Sequence, residues 1–184
     1  MSWSFWDATK LQQVFTQKGH QREIHCSSTH PDGSLYFTGD LGGWGQIWDL
    51  RTGKGIYEIK ESDSILCSDF NSNGYELAIG GKSNMISIKD IRRLKTMKQI
   101  PAHTKLISGL KYDKNESILC SVSHDNQLKM WHGRNYISVN LEPHLHESKL
   151  TSVDIHEGKI GTTTIERKWF MWILKNHTKL ETKI

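Results

Sequence analysis

The chain has 184 residues, 36% of them hydrophobic and seven of them Trp, with 24 Lys and Arg against 20 Asp and Glu, a net charge of +4. This composition suits a folded core and excludes a disordered chain, while the small positive surplus permits an anionic partner without demanding one. No run approaches the roughly 18 apolar residues of a membrane span, and the polar start MSWSFWDATK lacks the regions of a secretory leader, so the chain reads as intracellular with no membrane contact.

A repeated event governs the rest. Trp6, Trp48, Lys89, Trp131 and Trp172 stand 42, 41, 42 and 41 residues apart, and each of the first four is followed by a turn and a new apolar run. A second marker keeps step, because His20, Glu61, His103 and His146 precede the last four of those positions by 28, 28, 28 and 26 residues. Two markers in phase define units of about 41 residues. In chain order, residues 1–18 read as the end of a preceding unit, with Ser2 to Asp7 closing a third strand and Leu11 to Thr16 forming a fourth. Residues 19–60, 61–101, 102–142 and 143–175 are successive units and 176–184 a tail, with Lys175, Lys179 and Lys183 read as solvated. The glycine run Gly39 to Gly45 falls between second and third strands, and no Lys-Ser/Thr follows it to cradle phosphate.

The unit 102–142 shows the pattern most completely. Leu106 to Tyr112, Ile118 to Ser123, Gln127 to Trp131 and Tyr136 to Leu141 are four predicted strands, broken by Asp113-Lys114-Asn115-Glu116 and by His124-Asp125-Asn126. Four short antiparallel strands cannot bury both faces of a sheet alone, so neighbouring sheets must stack. Cys26, Cys67, Gly109 and Ser152 each lie six residues after the His or Glu marker, where a small side chain is wanted. The three cysteines show no C-x-x-C spacing for zinc or redox work.

The leading His, the Asp six residues before the Trp, and the Trp-Asp close resemble the WD-repeat β-propeller, an all-β fold of radial four-stranded sheets. The resemblance implies about four blades plus a half-blade, part of a seven-bladed ring. It also implies a structural hydrogen-bonded set, here His103, Ser121, Asp125 and Trp131. The first unit keeps His20, Thr38 and Trp48 but has Gly42 at the Asp position. The second has Glu61, Ser83 and Lys89 for His, Asp and Trp, and the last has His146, Trp172 and Glu166. On this reading one blade makes the full set, the second is the least stable, and Lys89→Trp gains stability.

Longer stretches narrow the resemblance. IWDLRTGK, FNSNGYELAIGG, KDIRRLKTMKQIPAHTKLISGLKY and the ending FMWILK resemble, in that order, the pre-mRNA-processing factor 4 family, the WD-repeat subunits of the U4/U6 small nuclear ribonucleoprotein. That resemblance implies a nuclear, non-enzymatic scaffold of the U4/U6 particle and tri-snRNP. Its partners would be pre-mRNA-processing factor 3 and other particle proteins, with U4/U6 snRNA met largely through them, and no cofactor. The alternative is a general WD-repeat adaptor such as a ubiquitin-ligase substrate receptor.

Arg92, Arg93, Lys95 and Lys98, together with Lys89, place five cations in ten residues. They suit contact with RNA phosphate or an acidic segment, and the plainer reading is a solvated outer edge. The ten histidines invite a metal site, but His20 and His146 belong to the repeat and no zinc spacing appears. Asn115-Glu116-Ser117 and Asn176-His177-Thr178 match the glycosylation pattern, which an intracellular chain would not use. No G-x-S-x-G, H-E-x-x-H or isolated acid pair suggests catalysis.

Overall fold

A computed structural model describes residues 1–114, 118–139, 144–175 and 179–183. Among them every regular element is a strand: β1 (Ser2–Asp7), β2 (Gln12–Lys18), β3 (Ile24–Thr29), β4 (Leu35–Asp40), β5 (Trp44–Asp49), β6 (Gly55–Lys60), β7 (Ile65–Phe70), β8 (Glu76–Gly81), β9 (Met85–Asp90), β10 (Lys95–Pro101), β11 (Ile107–Tyr112), β12 (Ile118–Ser123), β13 (Gln127–His132), β14 (His144–Leu145), β15 (Leu150–His156), β16 (Lys159–Thr164), β17 (Trp169–Lys175) and β18 (Lys179–Lys183). Four antiparallel four-stranded sheets follow the two-stranded β1–β2 sheet, and in each the strands pair in chain order.

The inner strands β3, β7, β11 and β15 lie side by side in sequence. Each carries a bulge at the same step, between Ile24 and Cys26, Ile65 and Cys67, Ile107 and Gly109, and Leu150 and Ser152. The bulge re-aims one side chain per blade and leaves His25, Leu66, Ser108 and Thr151 around one shared hollow. The core consists of three apolar clusters, one between each pair of neighbouring four-stranded sheets. The middle strands β8 and β12 are buried along their whole length, while β6 and β10 bury little beyond Ile59 and Ile100.

Turn geometry keeps the same period. Left-handed backbone occurs after the third strand of successive units at Leu11, Gly53, Leu94 and Tyr136, and between second and third strands at Gly43, Asn84, Asn126 and Arg167.

Two boundaries differ from expectation. The strand expected over Tyr136 to Leu141 does not form as one element. Tyr136 turns at φ 55°, Ser138 makes a single bridge to Trp131, and the β13 edge is paired again by β14. The buried Tyr136 hydroxyl meets Tyr112 at 2.9 Å and Glu76 at 2.8 Å; residues 140–143 lie outside the described residues. The tail expected at 176–184 also needs correction. Residues 179–183 form β18, which satisfies the outer edge of β17 from Lys175↔Lys179 to Met171↔Lys183.

Candidate interaction surfaces

The structure brings His103, Ser121, Asp125 and Trp131 together. The Trp131 indole N–H donates to Ser121 Oγ (3.0 Å), Ser121 Oγ lies 2.8 Å from His103 Nε2, and His103 Nδ1 lies 2.9 Å from Asp125. An indole N–H only donates and a carboxylate only accepts, so Ser121 Oγ accepts from Trp131 and His103 donates its Nδ1–H to Asp125; in the neutral imidazole Nε2 then accepts from the hydroxyl. Burial lowers the His103 pKa against the pull of Asp125. Burial alone would raise Asp125, but the Thr104 amide, His103 and the Gln127 amide outweigh it and hold that carboxyl below its usual range.

The first unit makes the same relay, which corrects the expectation that only one blade could. Trp48 donates to Thr38 Oγ1 at 2.8 Å, Thr38 lies 2.7 Å from His20 Nε2, and His20 Nδ1 lies 2.9 Å from Asp40. The acid comes from the end of β4, two residues ahead of Gly42, and its other oxygen accepts the Gly42 and Trp44 amides at 2.8 and 3.0 Å. A side chain at Gly42 would meet Arg22 and Asp40 instead. The signal for Asp40 was present in the sequence as an Asp closing a strand before a glycine turn.

The second unit replaces the relay with an ion pair. Lys89 Nζ lies 2.6 Å from Glu61 Oε1, Ser87 Oγ donates to Glu61 Oε2 at 3.0 Å, and Lys89 Nζ also donates to Thr96 at 2.8 Å. Both side chains are mostly buried, 13% and 14% exposed, and Ile79 fills the place of the relay hydroxyl. The two departures from the repeat therefore compensate each other, and the expectation that Lys89→Trp alone gains stability is reversed. In the last unit Trp172 donates to Thr162 at 3.2 Å and His146 packs edge-on against Trp172 and Phe170. Glu166 is exposed, with its carboxylate 3.8 Å from Lys168.

The basic stretch is partly committed to the fold. Arg92 clasps Asp90 through Nε (3.2 Å) and a terminal nitrogen (3.1 Å), and its guanidinium sits 4.0 Å above the Tyr75 ring. Lys98 donates to the Asn135 carbonyl of the next sheet. Arg93 and Lys95 are exposed and make no ion pair among the described residues. Histidines outside the relays also hold turns: His30 lies 2.6 Å from Asp32 and 2.5 Å from the Gly74 carbonyl, tying the first blade to the second. Burial raises all three thiols, Cys26 to about 11 and Cys67 and Cys120 well up. The sequons 115–117 and 176–178 lie outside the described residues.

A family model for the WD domain, G-beta repeat, matches residues 11–49 and 94–132, each running from the outer strand of one sheet (β2, β10) through the third strand of the next (β5, β13). Those two stretches are WD40 repeats. The WD40 chain is 27% identical over 177 residues to Protein SPA1-RELATED 4 of Arabidopsis thaliana, covering 91% of this chain and 22% of that protein. It is 27% identical over 126 residues to mouse Telomerase protein component 1, covering 68% of this chain and 5% of that protein. Among solved structures it superposes on that of U3-55K with a TM-score of 0.81 and 22% identity, over 90% of this chain and 53% of the other. It thus spans a minor part of these curated relatives and about half of that propeller.

Proposed function

We propose that this WD40 chain is a non-catalytic scaffold of the U4/U6 small nuclear ribonucleoprotein, working in the nucleus as blades of a larger ring. The observation that carries the reading is the ordered series IWDLRTGK, FNSNGYELAIGG and KDIRRLKTMKQIPAHTKLISGLKY, placed in successive blades. The geometry agrees with a platform. The polar side chains that might have suggested chemistry, the relay histidines and their acids, are buried in hydrogen bonds that hold loops to sheets. What remains for recognition is the loop surface, where propellers vary freely. One relative is by name a component of telomerase, which supports a role as an assembly subunit.

The partners would be pre-mRNA-processing factor 3 and other particle proteins, with U4/U6 snRNA held largely through them. Affinity purification of the tagged full-length protein from its own cells should recover U4 and U6 RNA with factor 3. Recovery of a ubiquitin-ligase subunit with no spliceosomal RNA would replace this reading with the adaptor one.

A further inference from the structure

Three or four residues after each Trp position, every unit carries a cation: Lys10, Arg51, Arg92 with Arg93, Arg134 and, in sequence, Lys175. Successive steps from Lys10 through Arg51, Arg92 and Arg134 to Lys175 are 41, 41, 42 and 41 residues, the period of the fold. These cations sit in the turns that follow β1, β5, β9 and β13. First and third strands of a sheet run the same way, so all these turns lie on one face of the array. Backbone bonds fix them there: the Leu50 amide donates to the Ser34 carbonyl and the Ile91 amide to the Tyr75 carbonyl, each joining the turn after the third strand to the turn after the inner strand.

The turn carboxylates face inward. Asp7 accepts the Thr9 and Lys10 amides, Asp49 those of Arg51 and Thr52, and Asp90 those of Arg92 and Arg93. Their pKa values are lowered, chiefly by the Thr9 hydroxyl at Asp7, by the Arg51 amide at Asp49 and by the Arg92 side chain at Asp90. The basic side chains are left pointing out, with Arg51 87% and Arg92 59% exposed. With Lys54, Lys95 and Lys98, which begin the outer edge, and Lys175 left aside, the rim has eight cations against those three carboxylates, while the turns after the inner strands add Asp32, Asp113, Lys114 and Glu157 to the same face. A device against strand pairing would put the charges on strand edges; here Lys95, Lys98 and Lys175 lie in strands, and the others occupy turns.

We propose that this rim is a track for an RNA backbone, bound without regard to sequence. A cation repeated once per blade along an arc fits a polymer charged at every unit, and Arg51, Arg93 and Arg134 present planar forks suited to phosphate oxygens, while the Arg92 fork is closed on Asp90. Further in on the same face, a basin of about 680 Å³ lined by Ser28, Thr29, Ser72 and Lys114 offers hydroxyls and another cation to sugar and phosphate, and its one lining carboxylate, Asp69, is paired with Lys111 at 3.2 Å. The identity of the RNA rests on the U4/U6 reading above, whereas the phosphate contact does not.

The test uses the full chain and a labelled oligouridine, with affinity measured by fluorescence anisotropy between about 50 and 200 mM salt. Four single-strand phosphate contacts give a log–log salt slope of about −3. The triple variant Arg51→Glu, Arg93→Glu, Arg134→Glu should lose at least about tenfold in affinity and about two units of slope. Reversal of Lys82, Lys105 and Lys149 on the opposite face should change affinity by less than about twofold. If the triple reversal lowers the melting temperature, the milder Arg51→Gln and Arg134→Gln variants carry the comparison, each expected to weaken binding without altering the melt. Equal losses from both triples, a salt-independent affinity, or displacement of the RNA by oligoglutamate at equal charge would overturn the track. Recovery of U4 and U6 from cells with an RNA affinity indifferent to the rim would sink the track and leave the particle reading. A rim-dependent affinity in a protein that recovers neither RNA would do the reverse.

Discussion

Trp48 and Trp131 each start a relay that runs through a hydroxyl and a histidine and ends on a buried carboxylate. Asp40→Ala should therefore cost about 1–3 kcal/mol in urea unfolding, through the unmet His20 N–H, and match Asp125→Ala. Indifference to Asp40→Ala would detach it from the relay. The pH sign follows from the same geometry. The folded pKa of His103 lies below its usual 6.5, so the unfolded chain binds more protons as pH falls through that value, and stability declines from there downward. Asp40 and Asp125 are held below 3.8, so a second loss begins as pH falls past that value. His103→Gln should flatten the first step and shrink the Asp125 part of the second, leaving the Asp40 part, as seen in melting temperature against pH. At Glu61 and Lys89, removing one partner strands the other. Lys89→Met alone should cost about 2–4 kcal/mol, less than a fully dry pair because both keep some solvent, and Glu61→Gln with Lys89→Met should recover most of it. Additive losses would show that the two do not act as a pair. The sequence showed that positions 61 and 89 broke the repeat, but not that the two breaks face each other. Reading Asp40 failed for a similar reason: a fixed spacing was assumed where a carboxylate can reach one histidine from either side of the turn.

Among the elements, most strands were legible because β-branched and aromatic runs alternate with turn residues at one period. Their ends were less so. The left-handed positions explain part of the difference. Asn84 and Asn126 advertise such a turn, whereas Leu94 and Leu11 give no local sign of it and adopt φ 54° and 52° only because the repeat demands it. Both leucines are exposed, so Leu94→Gly should relieve backbone strain without losing core and gain about 0.5–1 kcal/mol by thermal unfolding. A loss would mean that the Leu94 side chain covers something. Tyr136 occupies the same turn position with its hydroxyl tied to Tyr112 and Glu76, and Tyr136→Gly should be strongly destabilising. Close approach of sheets is the other hidden constraint. A Cβ on Gly80 would lie 2.9 Å from Leu110 and 3.1 Å from the Cys67 sulfur, so Gly80→Ala should cost about 1–3 kcal/mol by overpacking the second and third blades.

At the scale of the whole molecule, the sheets stack in order but the first and last inner strands share no comparable contact among the described residues. The β1–β2 half-sheet docks on the next blade through Trp3, whose ring lies 5.0 Å from Tyr36 and 5.3 Å from Trp48. The other edge of β1 meets no strand among the described residues. Trp6 and Val14 on this half-sheet are 57% and 55% exposed, an apolar surface beside an unpaired strand edge. Both features favour association, since an open edge templates another strand and an uncovered blade face seeks a neighbouring blade. The 184-residue chain, purified alone, should therefore elute above monomer mass in light-scattering chromatography and brighten an apolar dye. Trp6→Lys should reduce both signals without lowering the melting temperature, because that ring is outside the three core clusters. A monodisperse monomer that leaves the dye dark would mean that the half-sheet is covered within the chain itself, and the array would then be a closed ring of its own blades.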